Sequence, residues 1–188
     1  MRRNLLTAVL YTLVTTVLLG ICYPLLVTGL AQVMFRGKAN GSLIRRDGVI
    51  VGSHLLGQSF SGPEYFHSRP SAAGDGYDAT NSGGSNYGPT NRKLINRIEG
   101  DVKALSAEHP GEPVPVDLVT ASGSGLDPDI TPAAAAFQVR TVARTRGITE
   151  AEVRAAVARH TVRRQFGLLG ESRVNVLELN LDLDGKSK

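Results

Sequence analysis

Apolar residues dominate positions 4–35, and no charged residue interrupts that run. A helix needs about 20 apolar residues to cross a hydrocarbon core roughly 30 Å thick. The segment therefore predicts one membrane-spanning helix, with residues to spare for tilt or for emergence beyond the bilayer. After it the pattern turns globular. Leu43-Ile44-Arg45-Arg46 and Val49-Ile50-Val51 flank Asp47-Gly48, a pair suited to a type I′ hairpin turn. Residues 53–91 are rich in Gly, Ser and Asn, with Phe60, Tyr65, Phe66, Tyr77 and Tyr87 placed to pin a structured surface loop to a core.

Leu94, Ile95, Ile98, Val102 and Leu105 recur at helical spacing over 91–106, and His109-Pro110-Gly111-Glu112-Pro113 ends that helix. Residues 115–120 read as a short extended piece. Thr131 offers an N-cap with Pro132 at the first helical position, for an alanine-rich helix running to Arg146 and stopped by Gly147. Thr149 and Glu152 form a capping box for a further helix over 150–164. Residues 174–183 read as a closing strand. Its apolar positions change parity between Val176 and Leu177, which predicts a bulge or bend. Helices and strands mix without a βαβ repeat, so the fold class expected is a single N-terminal transmembrane helix (residues 1–36) plus one α+β soluble domain (residues 37–188).

Charge narrows the function classes. The chain has 21 basic and 17 acidic residues. Setting aside Arg2 and Arg3, ahead of the span, leaves the remainder near neutral, which speaks against nucleic acid as a partner. The densest basic run holds Arg140, Arg144, Arg146, Arg154, Arg159, Arg163 and Arg164, and reads as a solvated helix face ahead of an anion or lipid-headgroup surface. Cys22 is the lone cysteine and lies in the span, so neither an intramolecular disulfide nor a cysteine metal cluster can form. Arg2 and Arg3 before an apolar run also describe a secretory signal, with Gly29 and Ala31 as small residues near a cleavage site. The length of the run favours an uncleaved anchor. Arg36, Lys38, Arg45 and Arg46 outnumber the two N-terminal arginines, so charge bias alone leaves the orientation open.

Within the span, Ala8, Thr12, Thr16, Gly20, Pro24 and Thr28 recur every fourth residue. Small residues at this spacing let a second helix approach closely. Thr12, Thr16, Gly20 and Pro24 are the expected partner contacts, although a four-residue repeat drifts about 40° per step on an α-helix. Catalytic signatures are lacking. Gly185-Lys186-Ser187 is not a phosphate-binding loop, and Ser122-Gly123-Ser124-Gly125 is not a nucleophile elbow. That glycine-serine stretch reads as a tight turn ahead of an anion-holding nest. His54, His67, His109 and His160 share no metal-ligand spacing, and each is expected in a surface or hydrogen-bonded role. Asp127 and Asp129 flank Pro128 in a turn-making pattern. Asn175 is expected to satisfy a buried backbone group. No catalytic residue, metal or cofactor is required by these residues.

Several strings in order carry a further reading: Gly57-Gln58, Tyr65-Phe66-His67-Ser68-Arg69-Pro70, Ser82-Gly83-Gly84-Ser85-Asn86, Ser122-Gly123-Ser124-Gly125-Leu126-Asp127-Pro128, and Val174-Asn175-Val176-Leu177-Glu178-Leu179-Asn180. Behind a lone N-terminal span, they closely resemble the KdpC family, the C subunit of the bacterial Kdp potassium-transporting P-type ATPase complex. The resemblance covers nearly the whole chain. It marks Tyr65, Phe66, Arg69, Pro70, Ser82, Gly83, Ser85, Asn86, Ser124, Gly125, Asp127, Pro128 and Asn175 as family-motif residues. It implies an accessory subunit of an inner-membrane, ATP-driven, high-affinity potassium importer, with a channel-like potassium-translocating subunit and a P-type ATPase subunit as partners. By the same resemblance the N-terminus is cytoplasmic and the soluble domain periplasmic. The family is also described as a catalytic chaperone that raises the pump's ATP affinity and as nucleotide-binding, so ATP enters only as a family attribution. The competing expectation is an anchored periplasmic enzyme or ligand-binding domain acting alone. A third, a cytoplasmic domain resting its basic helix on lipid, needs the opposite topology.

Overall fold

The computed structural model describes residues 1–186, so Ser187 of the rejected phosphate-loop string lies outside the described residues. The chain forms two compact units that divide between Val51 and Gly52.

The first unit is led by one helix long and apolar enough to cross a membrane, Arg2–Met34, with mean hydropathy 2.2. Its 33 residues correspond to about 50 Å at 1.5 Å per residue, more than the hydrocarbon core requires. The helix is not uniform. Helix α1 (Arg2–Val17) passes into a π turn at Leu18–Cys22 and then into α2 (Tyr23–Met34). Pro24 supplies the cause. It has no N–H to donate, and in a regular α-helix its ring would press on the carbonyl of Gly20. The wider turn, in which the Tyr23 N–H donates to the Leu18 carbonyl, opens the backbone there. Short α3 (Arg36–Ala39) follows, and β1 (Leu43–Arg46) then pairs with β2 (Val49–Ser53). Asp47 and Gly48 adopt φ of 52° and 80°, the positive values that the expected type I′ turn demands.

In the second unit, α4 (Arg92–Glu108) is capped by the Asn91 side chain, which accepts from the Lys93 N–H at 2.9 Å. Helix α5 (Pro132–Arg146) starts at Thr131, whose hydroxyl accepts from the Ala134 N–H, and stops at left-handed Gly147. Helix α6 (Glu150–Arg159) carries the Thr149–Glu152 capping box in both directions. Alanines 134, 135, 143 and 156 are fully or almost fully buried. With no side chain beyond Cβ they let α5 and α6 approach closely around Val139, Val142 and Val153.

Three sequence expectations are corrected. Residues 115–120 hold a 3-10 turn at Val116–Leu118 rather than an extended piece. Helix α6 ends at Arg159, not at 164, and the chain enters β4 (Thr161–Val162). The closing strand is only β5 (Arg173–Asn175), after which the chain turns into α7 (Val176–Lys186). Its buried positions, Val176, Leu177, Leu179, Asn180 and Leu183, follow a helical face, so the parity change marks a switch to helix rather than a bulge. Strand β5 is central in a small antiparallel sheet, between β3 (Asp129–Ile130) and β4, with Ile130 and Thr161 both opposite Val174. One soluble α+β unit behind one apolar helix is the result.

Candidate functional site

The strings that stand apart in sequence meet at the 122–128 loop. Ser124 gives its carbonyl to the Gly83 N–H at 2.9 Å and to the Ser82 hydroxyl at 3.0 Å. The next carbonyl, Gly125, accepts from Ser71 Oγ at 2.6 Å, and that of Leu126 accepts from the Gly57 N–H at 2.8 Å. The Pro128 carbonyl takes the Val176 N–H at 3.0 Å. Successive carbonyls of one loop therefore bind four separate segments. Gly125 has φ of +68°, and a Cβ there would lie 2.6 Å from the Gly83 carbonyl oxygen. No other residue fits both constraints. A Cβ on Gly57 would lie 2.5 Å from the Asp127 carbonyl oxygen.

Arg69 closes the clamp. Its guanidinium donates to the Thr120 carbonyl (3.2 Å), the Ala121 carbonyl (3.3 Å) and the Asp127 carboxylate (3.1 Å). The Tyr77 hydroxyl donates in turn to the Arg69 carbonyl, and burial is the main cause that raises the Tyr77 pKa. Asp127 also accepts from the Asp129 N–H at 3.1 Å, the turn-making role expected for this pair. Asp129 pairs with Arg173 at 2.9 Å, but burial outweighs that cation and raises its carboxyl pKa. Together with Glu171 and Thr131 these groups line a cavity of about 240 Å³, below the usual size of a ligand pocket. The Gly125 N–H reaches back to the Ser122 carbonyl at 3.3 Å, so the glycine-serine stretch is a tight turn. Asn175 donates to the His54 carbonyl (3.1 Å) and accepts from the Glu178 N–H (3.1 Å), satisfying backbone as expected.

A second device anchors the aromatic string. Phe66 is fully buried. Asn180, also fully buried, accepts from the Phe66 N–H and donates to the Phe66 carbonyl, both at 2.9 Å. Gln138 does the same for His67, at 2.8 and 3.1 Å. Two side-chain amides thus take the place of a neighbouring strand. Tyr65 packs against Phe60 and lies under the Arg146 guanidinium, 5.1 Å from its ring. Pro70 joins Tyr65, His67, Leu105, His109 and Phe137 around a cleft of about 470 Å³ between α4 and α5. His109 is buried against Phe137, with its Nδ1 lacking a hydrogen-bond partner.

Ser85 and Asn86, half-buried and exposed, complete the 82–86 string, with Asn86 in left-handed backbone at φ 52°. Thr12, Thr16, Gly20 and Pro24 lie on the apolar helix, and the π turn changes their geometry. A π turn holds roughly one residue more than an α turn, so a four-residue step across it falls short of a full rotation by about 30–50°. The turn therefore offsets part of the forward drift between Thr16 and Pro24. A Cβ on Gly20 would meet only Thr16 Cγ2, at 3.9 Å, so packing within the chain does not demand glycine there.

Sequence reasoning missed Gln138 and Asn180. It also treated His54 and His160 singly, although they join one cluster with Glu178 and Asp182: His54 bonds Glu178, and His160 lies 3.8 Å from Glu178 and 3.2 Å from Asp182. A polar residue on an otherwise buried helical face was the available signal. The arginine run is mostly neutralised: Arg140, Arg146, Arg154, Arg159 and Arg164 pair with Glu112, Asp184, Glu150, Asp182 and Glu171.

A family model described as the c chain of the K+-transporting ATPase matches residues 5–185. A potassium-transporting ATPase KdpC subunit of Koribacter versatilis is 64% identical over 185 residues, covering 98% of this chain and 96% of that protein. The corresponding proteins of Acidobacterium capsulatum and Rhodopseudomonas palustris are 60% and 52% identical, each covering at least 96% of both partners.

Proposed function

The chain belongs to the KdpC family, as a subunit of a potassium-transporting ATPase complex, and from that premise we propose that it assembles and stabilises the complex rather than performing its chemistry. The observation that carries the proposal is the family match along almost the whole length, span included. Its partners in this reading are a channel-like potassium-translocating subunit and the P-type subunit that hydrolyses ATP. The N-terminus lies in the cytoplasm and the soluble unit in the periplasm of a bacterial inner membrane.

Two features support assembly as the task. The apolar helix leaves a glycine in the span that its own packing does not require, as a neighbouring helix would. Several motif residues of the soluble unit bond one another, Ser82 and Gly83 to Ser124 and Arg69 to Asp127, which fixes the loops around residues 122–128. The chaperone effect on ATP affinity then arises through assembly, with nucleotide held by the hydrolysing subunit.

Affinity-tagged chain extracted gently from potassium-starved cells is expected to bring down both partner subunits. Gly20→Leu is expected to cut that recovery while leaving the soluble unit's unfolding midpoint unchanged. Recovery of the chain alone, under conditions that preserve other membrane complexes, would sink the proposal. The competing reading, a self-sufficient ligand-binding domain, draws on the 470 Å³ cleft, whose volume suits a small molecule. It predicts a lone chain and an indifferent Gly20.

A further inference from the structure

The loop between β4 and β5 exposes side chains that a solvated turn does not need. Phe166 is 93% exposed, Leu168 81% and Leu169 59%, three large apolar groups within four residues. Exposed apolar clusters of this kind mark interaction sites.

The loop is also built to hold a shape. Gln165 and Leu169 exchange both backbone hydrogen bonds at 2.9 Å, and the Gly167 and Leu168 N–H groups donate back to Arg164 and Gln165 at 3.1 Å. At its base Arg164 bonds both oxygens of Glu171, at 2.8 and 2.6 Å. Phe166 itself sits at φ of +53°, in a region where a bulky side chain is an outlier. Strain of this sort persists where presentation of a group matters. A lipid surface asks only for apolar area, whereas a protein socket asks for a fixed shape. One uncompensated cation stands beside the tip: Arg163 has no carboxylate partner among the described residues, whereas Arg164 and Arg173 pair with Glu171 and Asp129.

We propose that this hairpin tip is a preformed knob that docks into an apolar, acid-rimmed socket on another subunit of the potassium-transporting complex, with Phe166 and Leu168 as anchors and Arg163 at the rim. Aromatic and arginine anchors of this kind dominate interface energetics. The proposal rests on the subunit reading above.

The test places a photoreactive benzoylphenylalanine at position 166 of the full tagged chain, expressed with the complex in potassium-starved cells. Illumination is expected to join the chain covalently to a subunit that also copurifies with the unmodified protein. In parallel, a chain carrying both Phe166→Asp and Leu168→Asp is expected to lose copurifying subunits at least about tenfold. Its own unfolding midpoint should not change, because the loop lies outside the core. Adducts with lipid alone, with a second copy of this chain, or with nothing would overturn the knob while the copurifying subunits still vindicated the subunit reading. If the unmodified chain copurifies with no subunit, both readings fall.

Discussion

Asn180 and Gln138 hold two adjacent backbone units that no strand holds. Replacing Asn180 by Ala strands the N–H and carbonyl of Phe66 inside the core, and each buried, unpaired polar group costs about 1–3 kcal/mol. A loss of roughly 2–5 kcal/mol is expected, read as a lowered urea midpoint by tyrosine fluorescence. A change below about 1 kcal/mol would mean that Phe66 finds other partners. Asp129 gives a prediction of opposite character. Burial raises its folded-state pKa above the ordinary carboxylate value, despite Arg173. The folded state therefore keeps this proton to higher pH than the unfolded chain does. Its stabilising contribution is complete below the unfolded pKa and is lost as pH rises through the folded one. Asp129→Asn should thus gain stability relative to the parent as pH is raised just above the usual carboxylate range. Parallel stability curves for the two proteins across that window would refute the assignment.

At the scale of elements, α7 offers the sharpest contrast. As a strand, residues 177, 179, 181 and 183 would share one face and matter alike. As a helix, they do not: Leu179 is fully buried, whereas Leu181 is half-exposed. Leu179→Ala is therefore expected to cost about 2–5 kcal/mol and Leu181→Ala well under half as much, measured by the same denaturation. Equal costs would favour the strand. The sequence hid this helix for a physical reason. Its face runs through Asn180, a polar residue whose place in the core makes sense only once Phe66, 114 positions away, is known to need it. Caps, by contrast, are local, so Thr131, Gly147 and the Thr149–Glu152 box were readable from spacing alone. Strand β4 was not: Thr161 and Val162 favour a strand by themselves, but they are only two residues between Arg159 and Arg163-Arg164, which suit a helix, and antiparallel pairing with β5 is what holds them extended. The convergence of four strings on the 122–128 loop was equally invisible, because it is made of backbone carbonyls that carry no side-chain signature.

For the whole molecule, an effect on ATP affinity transmitted through assembly is bound by a thermodynamic constraint. If the presence of this chain raises the hydrolysing subunit's affinity for ATP by some factor, bound ATP must tighten the hold on this chain by the same factor. Reciprocity concerns equilibrium binding and not turnover, so the measurement should use a non-hydrolysable ATP analogue. Two quantities are needed: the analogue's dissociation constant with and without the chain, and the chain's dissociation constant from the detergent-solubilised complex with and without the analogue. Couplings of this type commonly amount to about 5–150-fold, well within reach of either titration. Matching factors, together with no analogue bound by the isolated chain, are the expected result, and they would mean that the proposed effect on ATP affinity acts through assembly. A chain that leaves the analogue's affinity unchanged, and is itself retained equally well with and without nucleotide, would remove equilibrium coupling from its role and leave assembly alone. Measurable binding of the analogue to the isolated chain would instead make a nucleotide site on this chain the premise, with the 470 Å³ cleft beside His109 as the first place to substitute.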